Sequence, residues 1–209
     1  MGAFRVAVLI SGAGTNLQAL LDQVHAPGGP IEIVGVASSR GDAPGLERAR
    51  RAGVETAVFE IDGERSERSE RDRALGDWLD SHGVDLVVLA GFMELLGADF
   101  IERFAGRIVN VHPSLLPAFP GLRAIEQAVE QGVKVTGVTV HFVDEGIDSG
   151  AIVLQEALEL PYPARIAEIE ERVHGVEHRL LPRAVRLIAA GRVRPDPANP
   201  RAVLVDDGD

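Results

Sequence analysis

Strand and helix alternate through the first half of this chain, and that alternation constrains its fold more than any other feature. Phe4–Ile10, Ile31–Ala37, Asp85–Ala90 and Arg107–Val111 are short apolar runs, rich in β-branched residues and leucine. Such runs read as strands buried on both faces of a parallel sheet. Between them Leu17, Leu20, Leu21 and Val24, then Leu46, Ala49 and Ala52, then Leu75, Trp78 and Leu79 recur at helical spacing. Parallel strands joined through helices wind with one hand. The reading is therefore α/β, a doubly wound and mostly parallel sheet that receives ligands at the carboxyl ends of its strands.

After Gly121 the pattern changes. Leu122–Gln131 reads as a short helix and Val133–Val143 as an alternating strand with Thr136, Thr139 and His141 interleaved. Ile152–Leu160 repeats that style, which predicts an antiparallel addition to the sheet in the C-terminal half. A final helix is expected from about Arg165 to Ala190, kinked at Pro182 and stopped by Gly191. Arg194–Asp209 carries three prolines and several acids and reads as a loosely ordered tail. Glu64–Arg73 is a run of charge whose expected place is a solvated helix face.

Three segments carry chemistry. Ser11-Gly12-Ala13-Gly14-Thr15-Asn16 joins the first strand to the first helix and offers backbone N–H groups at a helix N-terminus, a natural phosphate cradle. Leu17 stands where a dinucleotide fingerprint needs its third glycine, so a single terminal phosphate fits better than a pyrophosphate. The plain structural alternative is a tight turn with Thr15 as N-cap. Asn110 and His112 lie two residues apart where a strand runs into a proline-bounded loop, so both side chains can converge on one substrate atom. The plain alternative there is a polar strand end. Asp148, in the acidic loop Asp144–Gly150, can reach a nearby imidazole, and a carboxylate beside an imidazole favours its charged form. A protonated His112 would serve as a general acid. An ordinary Asx turn is the competing reading.

Taken in order, ISGAGTNLQAL, GLERARRAGVET, VVLAGFMELL, VNVHPSLLPAFPGL, VTGVTVHFVDEGIDSG and VHGVEHRLLP resemble the folate-dependent phosphoribosylglycinamide formyltransferases of purine biosynthesis, over roughly Val6 to Ala190. The resemblance implies transfer of a formyl group from 10-formyltetrahydrofolate to the glycinamide amine of phosphoribosylglycinamide, with no metal. It implies that Asn110, His112 and Asp148 are catalytic. Asn110 would donate a hydrogen bond to the developing oxyanion, and His112 would supply positive charge and a proton. Asp148 would support His112 and help move protons toward the departing nitrogen. The resemblance further places Gly14, Thr15 and Asn16 on the substrate phosphate, and Glu177 on the ribose hydroxyls. Arg68 and the segment Met93, Glu94, Leu95 and Leu96, together with Asn110, fall to the folate donor. It also implies one formyltransferase domain over 1–193, with a phosphate-binding βα half (1–111), a folate and catalytic half (112–193), and the tail 194–209. Ala13 and Arg123 depart from the family pattern, which commonly has Asn and His there, and no role is assigned to Arg123.

The balance of charge narrows the partners. A formal net charge of -11 repels nucleic-acid backbones and anionic lipid. With no cysteine there are no disulfides and no thiolate metal sites. His25, His82, His174 and His178 lack metal-like spacing, and His141 reads as a structural strand residue. No run reaches the about 20 apolar residues that span a bilayer, and Met1–Arg5 read as the approach to a strand instead of as a leader. A cytoplasmic enzyme of small molecules, monomer or homodimer, is expected. A 10-formyltetrahydrofolate hydrolase and a non-catalytic sugar-phosphate or folate binding module remain the alternatives.

Overall fold

The computed structural model describes residues 2–61, 65–161, 163 and 165–206. Its chain divides into two compact units, Met1–Val109 and Asn110–Asp209.

The first unit holds β1 (Phe4–Ile10), α1 (Thr15–Gln23), β2 (Ile31–Ser38), α2 (Gly45–Arg51), β3 (Thr56–Val58), α3 (Arg65–Ser81), β4 (Leu86–Leu89) and α4 (Ala98–Arg103). Its strands run in the order β3-β2-β1-β4, with β1 parallel to β2 and β4, and β2 parallel to β3. Val6–Ile10 are fully buried, as a central strand covered on both faces must be. The chain moves outward from β1 through β3 and then returns to the other side of β1. That reversal between β1 and β4 is where an open α/β sheet parts its loops and leaves room for a ligand. Both the glycine-rich turn after β1 and the Gly91–Gly97 segment after β4 leave from it. The register of β1 against β2 slips between Val6 and Ala7. Gly35 of β2 lies directly under the indole of Trp78, so close that a Cβ would stand 2.4 Å from the ring. Phe59 and His82 complete the aromatic cluster, with ring centroids 6.0 and 4.4 Å from Trp78.

β5 (Ile108–His112) carries the chain into the second unit, which adds α5 (Ala124–Glu130), β6 (Val135–Phe142), β7 (Ile152–Glu159), α6 (Ile166–Ala189), β8 (Val193–Asp196) and β9 (Asn199–Val205). Neighbours run β5-β6-β7-β9-β8. β6 and β7 are antiparallel, the expected addition, and α6 packs on both. Gly191 ends α6 with φ +67, its N–H on the Ile188 carbonyl.

Two expectations change. The tail predicted over 194–209 is instead, through residue 205, an antiparallel hairpin, β8 against β9, and β9 joins β7 at Ile152 and Ala202, while 207–209 lie outside the described residues. Proline is tolerated there because β8 is an edge strand. The two-residue turn at Pro197 and Ala198 is closed by Asp196 Oδ1, which accepts the Ala198 N–H at 2.8 Å. Nor is the charge run wholly solvated, because Arg71 and Asp72 on α3 are 5% and 6% exposed.

Candidate active site

In the first unit the turn after β1 is drawn tight by α2. Gly14 takes φ +69 and caps α1 without a side-chain hydrogen bond, so Thr15 begins the helix and is not its N-cap. A Cβ on Gly14 would lie 2.7 Å from the Cα of Gly45, which leaves only glycine at this position. Gly45 N–H donates to the Gly12 carbonyl at 3.0 Å, and Arg48 Nε to the Ala13 carbonyl at 2.9 Å. The first N–H groups of a helix have no partner within it, and here they belong to the turn that holds Gly14, Thr15 and buried Asn16.

The segment after β4 is fixed at its backbone while its apolar side chains stay outside. Ser11 N–H donates to the Gly91 carbonyl at 3.1 Å and Met93 N–H to Ser11 Oγ at 2.9 Å. Met93 and Leu95 are 66% and 62% exposed, which suits a surface that a flat heterocycle covers. Arg68 is half-buried, and its Nε has no hydrogen-bond partner among the described residues. A cavity of about 370 Å³ between α3 and α4 touches this segment at Gly97 but holds none of the predicted site residues.

The second unit brings Asn110, His112 and Asp148 into one hydrogen-bonded cluster. His112 is buried, with Nε2 2.8 Å from the Phe119 carbonyl and Nδ1 3.3 Å from Asp148 Oδ2. A carbonyl only accepts, so Nε2 carries a hydrogen. With a carboxylate at the other nitrogen, the doubly protonated ring satisfies both partners. Gly121 N–H also donates to Asp148 Oδ2, at 2.7 Å. Burial opposes ionisation of the Asp148 carboxyl. The His141 imidazole, the Gly121 N–H and the charges of His112 and His141 outweigh it and hold the group below its ordinary value of 3.8.

His141, which the sequence pattern assigned to structure alone, belongs to this cluster. Its Nδ1 faces the Phe142 carbonyl at 2.8 Å and its Nε2 lies 3.3 Å from Asn110 Nδ2 and 3.6 Å from Asp148 Oδ1. The neutral ring accepts from the amide, and the protonated ring faces the carboxylate. Asn110 Nδ2 also donates to Asp148 Oδ1 at 3.4 Å. These contacts are long for hydrogen bonds, so they hold the amide loosely. The only sequence signal for His141 was its place two residues after Thr139 on one strand.

Thr139 fixes the proline-bounded loop. Its Oγ1 donates to the Ser114 carbonyl at 2.7 Å and accepts from Leu116 N–H at 3.1 Å and Gln155 Nε2 at 2.9 Å. Leu116–Pro117 is cis, and Phe119, Arg123 and Asp148 hold φ of +54°, +61° and +49°. Left-handed backbone at non-glycine residues costs on the order of 1–3 kcal/mol each and persists where the surroundings impose it, as at binding and catalytic sites. Glu177 lies on α6 at 6% exposure, so it is not an ordinary exposed helix glutamate. Among the described residues no cluster of three or more His, Asp or Glu side chains is placed to hold a metal ion. No helix among them is long and apolar enough to cross a membrane.

Comparison with known proteins finds relatives of this chain. Residues 4–185 match the family model described as formyl transferase. Phosphoribosylglycinamide formyltransferase of Haemophilus influenzae is 45% identical over 91% of this chain and 89% of its own. The human trifunctional purine biosynthetic protein adenosine-3 is also 45% identical, over 91% of this chain but only 19% of that far longer protein. The crystal structure of glycinamide ribonucleotide transformylase 1 from Symbiobacterium toebii superposes with a TM-score of 0.89 at 46% identity, covering 97% of this chain and 94% of its own.

Proposed function

The chain belongs to the formyl transferase family, and on that premise we propose that it transfers the formyl group of 10-formyltetrahydrofolate to the amine of phosphoribosylglycinamide. The observation that carries this reading is the joining of Asn110, His112 and Asp148 in one network at the end of β5. The Gly14–Asn16 turn takes the acceptor's phosphate, and Glu177 its ribose hydroxyls. Arg68 and the Met93–Leu96 segment take the donor; exposed apolar side chains at Met93 and Leu95 fit a flat heterocycle.

The unprotonated acceptor amine adds to the formyl carbon, and the carbonyl oxygen gathers negative charge. Asn110 turns its amide N–H to that oxygen, where a positioned donor is worth about 2.7–4 kcal/mol. His112 adds positive charge, held in place by Asp148 and Phe119. Both His112 nitrogens already have acceptors, so its charge acts without rearrangement, whereas giving up a proton requires exchanging one partner. Asp148, ionised, accepts a proton lost by the amine and passes it toward the donor's N10 as the carbon–N10 bond breaks. The products are the formamide of the acceptor and tetrahydrofolate. The enzyme is read as cytoplasmic and as a monomer or homodimer acting on small molecules.

The test follows absorbance at folate deformylation with and without phosphoribosylglycinamide. Donor consumed only with acceptor present, yielding formylated product, is the expected result. Equal consumption without acceptor makes the protein a hydrolase, and no consumption in either case makes it a binding module.

A further inference from the structure

We propose that Arg71 and Asp72 of α3 are positioning residues for the formyl donor, setting the backbone of the Gly91–Gly97 segment in the shape against which the donor's heterocycle packs. The proposal rests on the functional reading above and extends it to two residues that the charge pattern had assigned to solvent.

Both side chains are buried, and Arg71 Nε donates to Asp72 Oδ1 at 2.7 Å. Neighbours in sequence do not share a helix face, so this pair forms only if both side chains wrap to one side. What lies on that side is the segment after β4. Arg71 Nη2 donates to the Leu95 carbonyl at 3.0 Å, and Gly97 N–H donates to Asp72 Oδ2 at 2.8 Å. The Arg71 guanidinium also stands over the Phe92 ring, 5.7 Å from its centroid. One end of the segment is therefore held by Ser11 and the other by the buried pair, leaving Met93 and Leu95 projecting outward.

A buried ion pair is poor value as stability, because desolvation offsets most of its attraction. This pair is poorer than most, since Arg71 Nη1 is buried without a hydrogen-bond partner among the described residues. Its benefit lies in geometry: a planar fork and a carboxylate fix one carbonyl and one N–H two residues apart. A backbone fixed before binding spares the donor the cost of ordering it. A cavity of about 370 Å³ borders the pair at Asp72 and the segment at Gly97.

The test compares wild type with R71M/D72L, in which both charges leave together and no unpaired charge remains buried, and with R71K, which keeps the charge but not the fork. Steady-state kinetics are run with donor varied at saturating acceptor and the reverse, alongside calorimetric titration with tetrahydrofolate and a thermal melt. The expected result is a donor KM raised about tenfold in R71M/D72L, the size of one ordinary hydrogen bond's contribution. Tetrahydrofolate binding weakens in parallel, acceptor KM and melting temperature stay unchanged, and R71K falls between. A folded double variant with unchanged donor KM and folate affinity overturns the proposal, as does an equal rise in both KM values. Wild type that neither turns over nor binds tetrahydrofolate removes the functional reading along with it.

Discussion

Asn110 holds its amide on two long contacts, to His141 and Asp148, and on the proposed mechanism this slack lets one side chain serve the resting site and the reacting carbonyl in turn. Replacing it with alanine should lower kcat by about 10²–10³-fold, as loss of a single oxyanion donor does elsewhere, while leaving both KM values nearly unmoved. Steady-state kinetics decide; a rise in KM with kcat preserved would mean that Asn110 merely binds. Asp148 makes a prediction about acid. Its carboxyl is held below 3.8 in the fold, so the ionised group stabilises the protein fully above that value, and the contribution is lost as pH falls through the lower folded value. The stability of wild type over D148N should therefore shrink below pH 3.8. Urea unfolding of the two proteins across that interval would show it, and a constant difference would rule the effect out.

At the scale of elements, β6 does two tasks on one face. Thr139 pins the loop that leads from His112 to Gly121, and His141 meets Asn110 and Asp148. T139V leaves the Leu116 N–H and the Gln155 amide without their shared acceptor, which should cost about 1–3 kcal/mol in denaturant unfolding and lower kcat as His112 loses its alignment. Unchanged kcat in a destabilised variant would separate the loop from catalysis. Much of this scale was legible in the residues. The apolar runs and helical spacings located β1, β2, β4, β5 and α1 to within a residue or two, because burial on both faces leaves little choice of side chain. β3 and α4 were not legible, being three and six residues long, too short for a period to repeat. The three residues expected to be catalytic stood out through the i, i+2 spacing and the acidic loop. His141 did not, because its partners come from 31 positions earlier and from the loop beyond β6. Arg71 and Asp72 were hidden for a related reason: within a run of like residues, only the packing tells which members turn inward.

For the molecule as a whole, each unit carries a histidine that folds best without charge. His25 is lowered by burial, partly offset by Glu32, and its Nδ1 accepts the Ile33 N–H at 3.0 Å. His178 is lowered by burial and then by the charge of His174. Below the ordinary value of 6.5 the unfolded chain binds protons that the folded one refuses. Stability should thus be full above 6.5 and fall with pH until each folded value is passed. H25Q and H178Q should each flatten part of that slope in urea unfolding, and a slope untouched by both would refute the assignment. The packing of Trp78 on Gly35, Phe59 and His82 has a practical side as well. It is the chain's single tryptophan, so indole emission is a private signal from residues 1–109. A melt followed by that light and one followed by calorimetry of the entire chain coincide only if both halves let go together. Any gap between the two curves clocks how far one half outlives the other.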